Sequence, residues 1–303
     1  MLGIRRIGKT SVLKTFLSET RGIYIDMRGV RRILELEERV TDALNSSIGK
    51  FRKLLEGIRG INIAGFSVEV RWRGRDSISL YGLLEELDKK GERIVVVFDE
   101  LQSARVPVSF ELKKLLAYSY DNLEHVTFVV AGSEVGLLRD FIGVDKPSSP
   151  LYGRHVHELV VERFTREESI EFLRRGFEEE GVQPPQDVIE SAVDLFDGIV
   201  GWLTIFGRNY SDGVVDMERL KDMAVGMAVE ELSKLSEREK TVLKAIASGC
   251  DSWSKVRSYI AERKGVVVPK ATLTRTIEKL EKLSIIKDYK FPDPIYRLAS
   301  LQL

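Results

Sequence analysis

The sequence predicts an α/β fold, in which a parallel sheet covered by helices is followed by a helical domain and a small winged-helix domain. Over the first two-thirds of the chain, short apolar runs alternate with longer amphipathic ones, which is typical of an α/β sheet. The run from Arg93 to Asp99 is apolar on both faces, as in a strand that helices cover on each side. From Thr165 onward the periodicity is that of helices.

The composition excludes several classes of protein. The chain of 303 residues exceeds one average domain, and its 43% of hydrophobic residues is ordinary for a globular protein. Positive and acidic residues both number 47, so no overall basic excess indicates nucleic acid. Cys250 is the single cysteine, which excludes a disulfide scaffold, and no apolar run approaches the roughly 18 residues of a membrane helix. We therefore expect a soluble, cytoplasmic protein with no membrane partner.

The elements of the sheet region follow from periodicity and from the turn residues between them. Gly65 separates two alternating segments and predicts a β-hairpin, and Gly91 ends the helix before the buried strand. The predicted order is helix 9–19, strand 22–26, helix 34–55, hairpin 61–64 and 66–72, helix 79–90, strand 93–99, helix 110–121, strand 126–131, helix 134–142 and strand 155–161.

Two further modules follow the sheet region. Ser236 to Glu239 form a capping box that begins the last module, and alternating segments around Pro292 predict a two-stranded wing at 285–289 and 295–298. The predicted helices of the two modules are 165–181, 187–196, 202–210, 217–235, 236–247, 252–264 and 269–283. The predicted domains are 1–163, 164–235 and 236–303.

The first residues of the chain contain a complete phosphate-binding motif. Residues 3–10 match the pattern G-x-x-x-x-G-K-[ST], and an amphipathic helix follows. The glycines let backbone N–H groups turn toward phosphate oxygens, and the helix directs its positive end at them. Lys9 is expected to neutralise the β- and γ-phosphates, and the Thr10 hydroxyl to bind Mg²⁺. The predicted nucleotide-binding residues are Gly3, Ile4, Arg5, Arg6, Ile7, Gly8, Lys9, Thr10 and Ser11.

An acidic pair ends the buried strand. Asp99 is expected to hold Mg²⁺, directly or through water. Glu100 is placed to polarise the attacking water as a general base. The alternative is that both are surface acids at a strand end, but the phosphate-binding motif favours the catalytic interpretation.

Two more residues are candidates for contact with the γ-phosphate or its water. Ser133 follows the next predicted strand and can orient the water, or it can cap the helix at 134, and the sequence leaves both roles open. Arg154 precedes the last predicted strand and is a candidate for stabilising transition-state charge, in its own chain or across the interface of a homo-oligomer. A plain surface arginine is the alternative. The candidate catalytic residues are thus Glu100, Lys9, Ser133 and Arg154.

These segments resemble the archaeal ATPase family within the STAND branch of AAA-type P-loop ATPases, over nearly the whole chain. The resemblance rests on Gly-Ile-Arg-Arg-Ile-Gly-Lys-Thr-Ser at 3–11, Val-Phe-Asp-Glu-Leu-Gln at 97–102, Ala-Gly-Ser at 131–133 and Pro-Leu-Tyr-Gly-Arg at 150–154. The turn at 197–203 is similar to that family's Gly-x-Pro segment, which places a proline near the nucleotide. Val200 stands where the proline would fall.

The resemblance implies a P-loop ATPase core, a helical lid and a C-terminal winged helix for the three predicted domains. It also implies ATP rather than GTP, and a nucleotide-driven switch rather than a metabolic enzyme of high turnover. The sequence departs from the family in one respect, because only Met1 and Leu2 precede Gly3 and the first strand of the sheet is missing. We expect a true start further upstream, or else a sheet without this strand and with weakened ATP binding.

The C-terminal module is basic although the whole chain is neutral. From Ser236 onward, 14 positive residues stand against 8 acidic ones. The third helix of this module has a polar, basic face beside an apolar stripe, and this face fits a major groove of DNA. The candidate residues of this face and of the predicted wing are Lys270, Thr272, Thr274, Arg275, Lys279, Lys287 and Lys290. The alternative is a lid or a protein-docking module with solvated lysines.

Two functions remain open from the sequence. The first is an ATPase switch, in which the nucleotide state changes the contact of the winged helix with DNA or with a protein partner. The second is a DNA-binding regulator whose P-loop core is a vestigial scaffold that does not hydrolyse ATP. A metabolic kinase is disfavoured, because the chain has a winged helix and no evident pocket for an acceptor substrate.

Overall fold

The computed structural model describes residues 1–65, 67–265 and 268–303, which form two compact units. The first, which we term the sheet unit, comprises Met1–Leu2, Lys9–Ser133 and Leu137–Val160. The second, the helical unit, comprises Gly3–Gly8, Glu134–Gly136 and Val161–Leu303. The predicted boundaries after residues 163 and 235 stay predictions.

The elements before the helical region alternate between helix and strand, as expected. They are α1 (Lys9–Glu19), β1 (Gly22–Asp26), α2 (Ile33–Ser46), α3 (Ile48–Leu55), β2 (Ile61–Ala64), β3 (Ser67–Val70), α4 (Leu80–Asp88), β4 (Ile94–Asp99), a 3₁₀ turn (Leu101–Ser103), α5 (Val108–Asn122), β5 (Val126–Val130) and α6 (Val135–Ile142).

The rest of the described chain is helical. It contains α7 (Arg166–Glu179), α8 (Gln186–Phe196), α9 (Val200–Ser211), α10 (Met217–Leu232), α11 (Glu237–Ala247), α12 (Trp253–Lys264), α13 (Lys270–Lys282) and α14 (Pro294–Gln302). No helix among the described residues is both long enough and apolar enough to cross a membrane.

Three parallel strands form the central sheet, in the order β1-β4-β5. Every residue of β4 is buried, as its continuous apolar run predicted. In register, Asp26 lies opposite Asp99, and Phe98 lies opposite Val130. Because the strands are parallel, their carboxyl ends meet at one edge of the sheet, which is where ligands bind in open α/β sheets. Asp99 ends β4 at this edge, and Ser133 follows β5 there.

An apolar stripe holds α1 on the sheet. Leu13 and Leu17 lie one turn apart on the helix and are buried with Val95, Val97 and Ala131. The first turn of α1, which carries the end of the phosphate-binding motif, is therefore fixed relative to β4.

The strand predicted at 155–161 is wrong. Within the described ranges, its only strand pairing is a parallel bridge between Val160 and Leu2, and Leu2 forms a second parallel bridge with Gly132. The N–H of Leu2 donates to the carbonyl of Leu159 at 2.7 Å. A strand needs a neighbour for its backbone groups along its whole length, and Leu2 provides one residue of such a neighbour. Leu2 thus lies between Gly132 and Val160, with one parallel bridge to each.

Two other predictions are refined. The single helix predicted at 34–55 is divided into α2 and α3 at Ser47, whose backbone leaves the helical region at φ −111° and ψ 11°. The hairpin is confirmed by the antiparallel pairing of β2 with β3, in which Ile61 lies opposite Val70. Phe66, which the prediction placed in the second strand, lies outside the described residues.

One apolar core runs through the helical unit from α7 to α14. Its largest side chain is Trp202 on α9, which is fully buried with Phe196 and Phe206. Capping boxes at Thr165 and Ser236 begin α7 and α11, and the second is the one that the sequence predicted.

The predicted two-stranded wing is also wrong. Lys287 and Lys290 exchange backbone hydrogen bonds across a tight turn, and the segment after the turn is α14. Pro294 begins this helix, where a missing N–H is tolerated, and Asp293 caps it by accepting from the N–H of Ile295 at 2.8 Å. The apolar residues at 295, 296 and 299 are buried together, which fits one face of a helix.

Asp293 also connects α14 to α9. Its Oδ2 accepts a hydrogen bond from Nε1 of Trp202 at 2.9 Å, and both side chains are buried. Burial raises the pKa of Asp293. A buried carboxyl group needs donors, and the helix cap and the indole supply them.

Candidate nucleotide-binding site

The phosphate loop has a backbone that depends on its glycines. Arg6 and Gly8 adopt left-handed φ angles of 61° and 94°. A Cβ atom on Gly8 would lie 3.0 Å from Cγ1 of Val200, and one on Gly3 would lie 2.9 Å from the carbonyl oxygen of Val161. Gly3 is therefore required by space, and Gly8 by its φ angle together with a tight contact to Val200. Val200, the residue at the family's proline position, thus lies beside the loop.

The other side chains of the motif lie in different environments. Ile7 and Lys9 are buried, and Ile4 packs against the core of the helical unit. Arg5 and Ser11 are exposed.

Asp99 is buried at the end of β4, with 1% of its surface exposed. Its Oδ2 accepts hydrogen bonds from Oγ1 of Thr10 at 2.7 Å and from the hydroxyl of Tyr24 at 2.6 Å. Its Oδ1 accepts from the backbone N–H of Glu100 at 2.9 Å. Burial, and then the hydrogen bond to Asp99, raise the pKa of Tyr24, so that the phenol stays a donor. One carboxylate thereby joins α1, β1 and the turn after β4.

Thr10 and Asp99 fit a magnesium ion. Two oxygen ligands of one octahedral Mg²⁺ lie roughly 3 Å apart when each metal–oxygen distance is about 2.1 Å. Oγ1 of Thr10 and Oδ2 of Asp99 are 2.7 Å apart. Hydroxyl and carboxylate oxygens are also the ligand types that hold this ion in P-loop proteins. These two residues could therefore hold Mg²⁺ with little rearrangement.

Glu100 lies in contact with Ser133 at the same edge of the sheet. Its Oε2 accepts hydrogen bonds from Oγ of Ser133 at 2.9 Å and from Nε2 of Gln102 at 2.5 Å. Glu100 is half-buried, and its backbone is left-handed with φ 52°. Such a conformation is uncommon outside glycine and clusters at functional sites. The structure thus brings together the candidate base and the candidate water-orienting serine.

Arg154 is not part of this cluster. Its guanidinium donates to the two carboxylate oxygens of Asp121 at 3.1 and 2.5 Å, and to the carbonyl of Pro150. Asp121 lies in the last turn of α5, which leads into the amino end of β5, whereas Asp99 lies at the carboxyl end of β4. The structure therefore does not bring Arg154 to these carboxylates in its own chain. A role across a subunit interface stays a prediction.

A second charged group fixes the phosphate loop within the helical unit. Arg6 donates to Oε1 of Glu231 at 2.5 Å, and the hydroxyl of Tyr296 donates to Oε2 of the same carboxylate at 2.5 Å. Arg5 donates to that second oxygen at 3.3 Å. The Arg6 guanidinium also lies 3.9 Å from the ring centroid of Trp202, in a cation–π contact. One carboxylate on α10 thus joins the loop to α14.

The charge of Glu231 depends on these contacts. Burial acts to raise the pKa of Glu231, but the hydrogen bonds from Arg6 and Tyr296 outweigh it, and the pKa lies below its usual value. The loop backbone is held as well, because the N–H of Gly201 donates to the carbonyl of Arg6 at 2.7 Å. A Cβ atom on Gly201 would lie 2.6 Å from that of Arg6, so only glycine fits.

Comparison with known families decides the class of the chain. The model of a family of ATPase domains, predominantly from Archaea, matches residues 1–206. The C-terminal winged helix-turn-helix domain of MCM proteins matches residues 233–299. The chain belongs to the archaeal ATPase family. This membership confirms the resemblance to the archaeal ATPase family and implies that the P-loop binds a nucleotide.

One solved structure agrees with this assignment, and two others are more distant. The Walker-type ATPase of Pyrococcus abyssi is 36% identical over 100% of this chain and 90% of its own, with a TM-score of 0.81. Cdc6p from Pyrobaculum aerophilum is 15% identical over 99% of this chain and 85% of its own, with a TM-score of 0.45. The RuvB Holliday junction branch migration motor of Thermotoga maritima is 17% identical over 94% of this chain and 80% of its own, with a TM-score of 0.43. These last two likenesses carry no argument about function. The comparison with curated proteins gave no match.

Sequence reasoning missed four residues, of which three contact candidate site residues directly and the fourth contacts one of those three. They are Tyr24, Gln102, Glu231 and Tyr296. Gln102 ends the acidic motif at 97–102, so its position two residues after Glu100 was a usable signal. The other three come from distant parts of the chain, and no local pattern indicates their contacts.

We expect Gly8→Ala to weaken the binding of a fluorescent ATP analogue by about tenfold or more. The added methyl group would meet Val200, and alanine at a left-handed φ angle is itself disfavoured by roughly 1–2 kcal/mol. Gly29→Ala is the matched control, because Gly29 has a φ angle of 79° but no heavy atom within 4 Å of an added Cβ. The control should lower stability and leave affinity unchanged. Equal affinities in the two variants would contradict a role for the Gly8 backbone.

Proposed function

We propose that the chain binds ATP with Mg²⁺ and hydrolyses it, and that the nucleotide state controls the contact of its winged helix with DNA. The observation that carries this proposal is the pair of carboxylates after β4. Asp99 is buried against the hydroxyl of Thr10, whereas Glu100 is half-buried and contacts Ser133. The first is arranged as a metal ligand and the second as a base accessible to water, which is the division of roles that hydrolysis needs.

In the proposed reaction, the oxygen of a water molecule forms a bond to the γ-phosphorus. The bond from this phosphorus to the oxygen that bridges the β- and γ-phosphates breaks, and ADP leaves with that oxygen. The water proton passes to Glu100, whose carboxylate Ser133 orients. Lys9 offsets charge on the β- and γ-phosphates, and Thr10 and Asp99 hold the metal position. Bound Mg²⁺ supplies neutralisation of phosphate charge.

Lys9→Ala and Glu100→Gln are expected to separate binding from hydrolysis. Lys9→Ala should lose both ATP binding and turnover, because the phosphate charge is no longer offset. Glu100→Gln should bind ATP with unchanged affinity and turn over about a hundredfold more slowly, because the amide cannot accept the water proton. Phosphate release measures turnover, and a fluorescent ATP analogue measures affinity.

The control for these variants is Lys53→Ala, which removes an exposed lysine of the sheet unit and should match the parent in both assays. Parental turnover in Lys9→Ala would contradict the proposed site. Parental turnover in Glu100→Gln would exclude Glu100 as the base.

The coupling to the winged helix is argued from the charged group around Glu231. Arg6 of the phosphate loop and Tyr296 of α14 donate to the two oxygens of this one carboxylate. Phosphate oxygens at the loop offer Arg6 a second anionic partner, so nucleotide binding weakens its bond to Glu231. The Glu231 carboxylate then depends on its hydrogen bonds from Tyr296 and Arg5, and the packing of α14 changes in response.

DNA is favoured as the partner by the exposed cations of the winged-helix module. Leu273 and Ile277 of α13 are buried, and the opposite face of the helix is exposed and basic. Lys279 on this face pairs with Glu239 at 2.5 Å, and Thr274 accepts from Nε1 of Trp253 at 3.2 Å, so both have partners within the module. The exposed cations of this face and of the following turn are Lys270, Arg275, Lys279, Lys282, Lys287 and Lys290.

We expect the affinity for DNA to depend on Arg275. We expect the effect of ATP on this affinity to depend on Glu231. Arg275→Ala should weaken binding to duplex DNA about tenfold and lower the salt dependence by about one counterion. Glu231→Gln should bind DNA equally with and without ATP, because its amide no longer holds the two arginines by charge. Fluorescence anisotropy of a labelled duplex, at several salt concentrations, measures both effects.

Matched controls for this experiment lie nearby in the chain. Lys234→Ala and Glu230→Gln alter exposed side chains of the same unit and should behave as the parent. Nucleotide-dependent DNA binding that persists in Glu231→Gln would contradict the coupling. A parent that does not bind DNA at low salt would indicate a protein partner for the winged helix instead.

A further inference from the structure

Gln102 is a buried polar residue whose contacts the proposed reaction does not yet explain. It lies in the 3₁₀ turn after β4 and is 5% exposed. Its Nε2 donates to Oε2 of Glu100 at 2.5 Å. Its Oε1 is buried without a hydrogen-bond partner among the described residues. Turning the amide over would direct this oxygen at the Glu100 carboxylate, so electrostatic repulsion fixes the orientation.

The amide of Gln102 makes one hydrogen bond and leaves one buried acceptor unpaired, so fold stability alone does not explain it. A buried acceptor without a partner destabilises the folded chain, and an apolar side chain of the same length would avoid that loss. The side chain therefore serves the group to which it donates, which is Glu100.

Gly132 provides the space that the amide occupies. A Cβ atom on Gly132 would lie 2.1 Å from Oε1 of Gln102 and 3.3 Å from Cδ2 of Leu138. The backbone of Gly132 is not left-handed, so close approach, rather than backbone conformation, explains a glycine at this position. The next residue, Ser133, is the second donor to Glu100.

The two donors bind the same oxygen of Glu100. Gln102 and Ser133 both donate to Oε2, and no hydrogen bond to Oε1 is found within the described parts of the chain. The backbone N–H of Glu100 is held by Oδ1 of Asp99 at 2.9 Å, so the residue is fixed at both ends. One carboxylate oxygen is thus held by two donors, and the other has none among the described residues.

We propose that Gln102 is a positioning residue for Glu100, which holds Oε2 so that Oε1 faces the attacking water. This inference rests on the proposed hydrolysis, and it assigns to Gln102 an effect on the chemical step alone. Gln102 does not contact the oxygens of Thr10 and Asp99 that fit the metal, so nucleotide affinity does not depend on it.

Gln102→Met tests this role, because methionine has the same length and no N–H donor. We expect kcat for phosphate release to fall about tenfold or more, while the Kd for a fluorescent ATP analogue stays within about twofold of the parent. The melting temperature should change little, because the lost hydrogen bond to Glu100 is offset by removal of the unpaired buried oxygen. Gln186→Met is the matched control at an exposed glutamine and should leave kcat unchanged.

Gly132→Ala tests the same contact from the other side. Its methyl group displaces the Gln102 amide, so kcat should fall while Kd is kept, even if Gln102→Met does not fold. Parental kcat with a lowered melting temperature in Gln102→Met would overturn the inference and make Gln102 a structural residue. Turnover in the parent together with unchanged kcat in both variants would overturn this inference alone. A parent without turnover would overturn the proposed hydrolysis as well.

Discussion

A buried carboxylate at the end of the central strand is the constraint on which the candidate site depends. An ionised carboxylate taken out of water is unfavourable unless donors replace its lost hydration. Asp99 receives donors from Thr10, Tyr24 and the backbone N–H of Glu100. These donors come from α1, from β1 and from the turn after β4. The need to satisfy one charge therefore fixes the relative positions of three elements, and with them the direction in which Glu100 leaves the strand.

In the helical unit, donors likewise surround a partly buried carboxylate that holds the phosphate loop. Glu231 is satisfied by Arg6 and Arg5 of the loop and by Tyr296 of α14. Because arginine keeps its charge, this group is an ion-pair network, whereas Asp99 is satisfied by neutral donors. A doubly charged phosphate competes with Glu231 for its arginine partners. It competes less with Asp99 for hydroxyl donors, because these carry no charge. Under the proposed coupling, the network around Glu231 is the part of the helical unit that responds to the nucleotide.

Local patterns in the sequence predicted much of the fold. Helix α1 and strands β1, β4 and β5 were predicted to within a residue or two, because apolar periodicity and glycine punctuation are properties of short segments. The strand at 155–161 and the wing were wrong, because alternation of side chains does not supply the neighbour that a strand needs. For the candidate site, the motif at 3–11 and the acidic pair could be read directly. The contacts of Tyr24, Glu231 and Tyr296 could not, because they join residues far apart in the chain.

The most direct test of the central claim is the effect of Mg²⁺ on ATP binding in the parent and in Asp99→Asn. Isothermal titration calorimetry with ATP, in Mg²⁺ and separately in excess EDTA, gives the four dissociation constants. We predict that Mg²⁺ tightens ATP binding about tenfold or more in the parent and has little effect in Asp99→Asn, with similar affinities in EDTA. The same tightening by Mg²⁺ in both proteins would contradict the assignment of Asp99 as the residue that holds the metal.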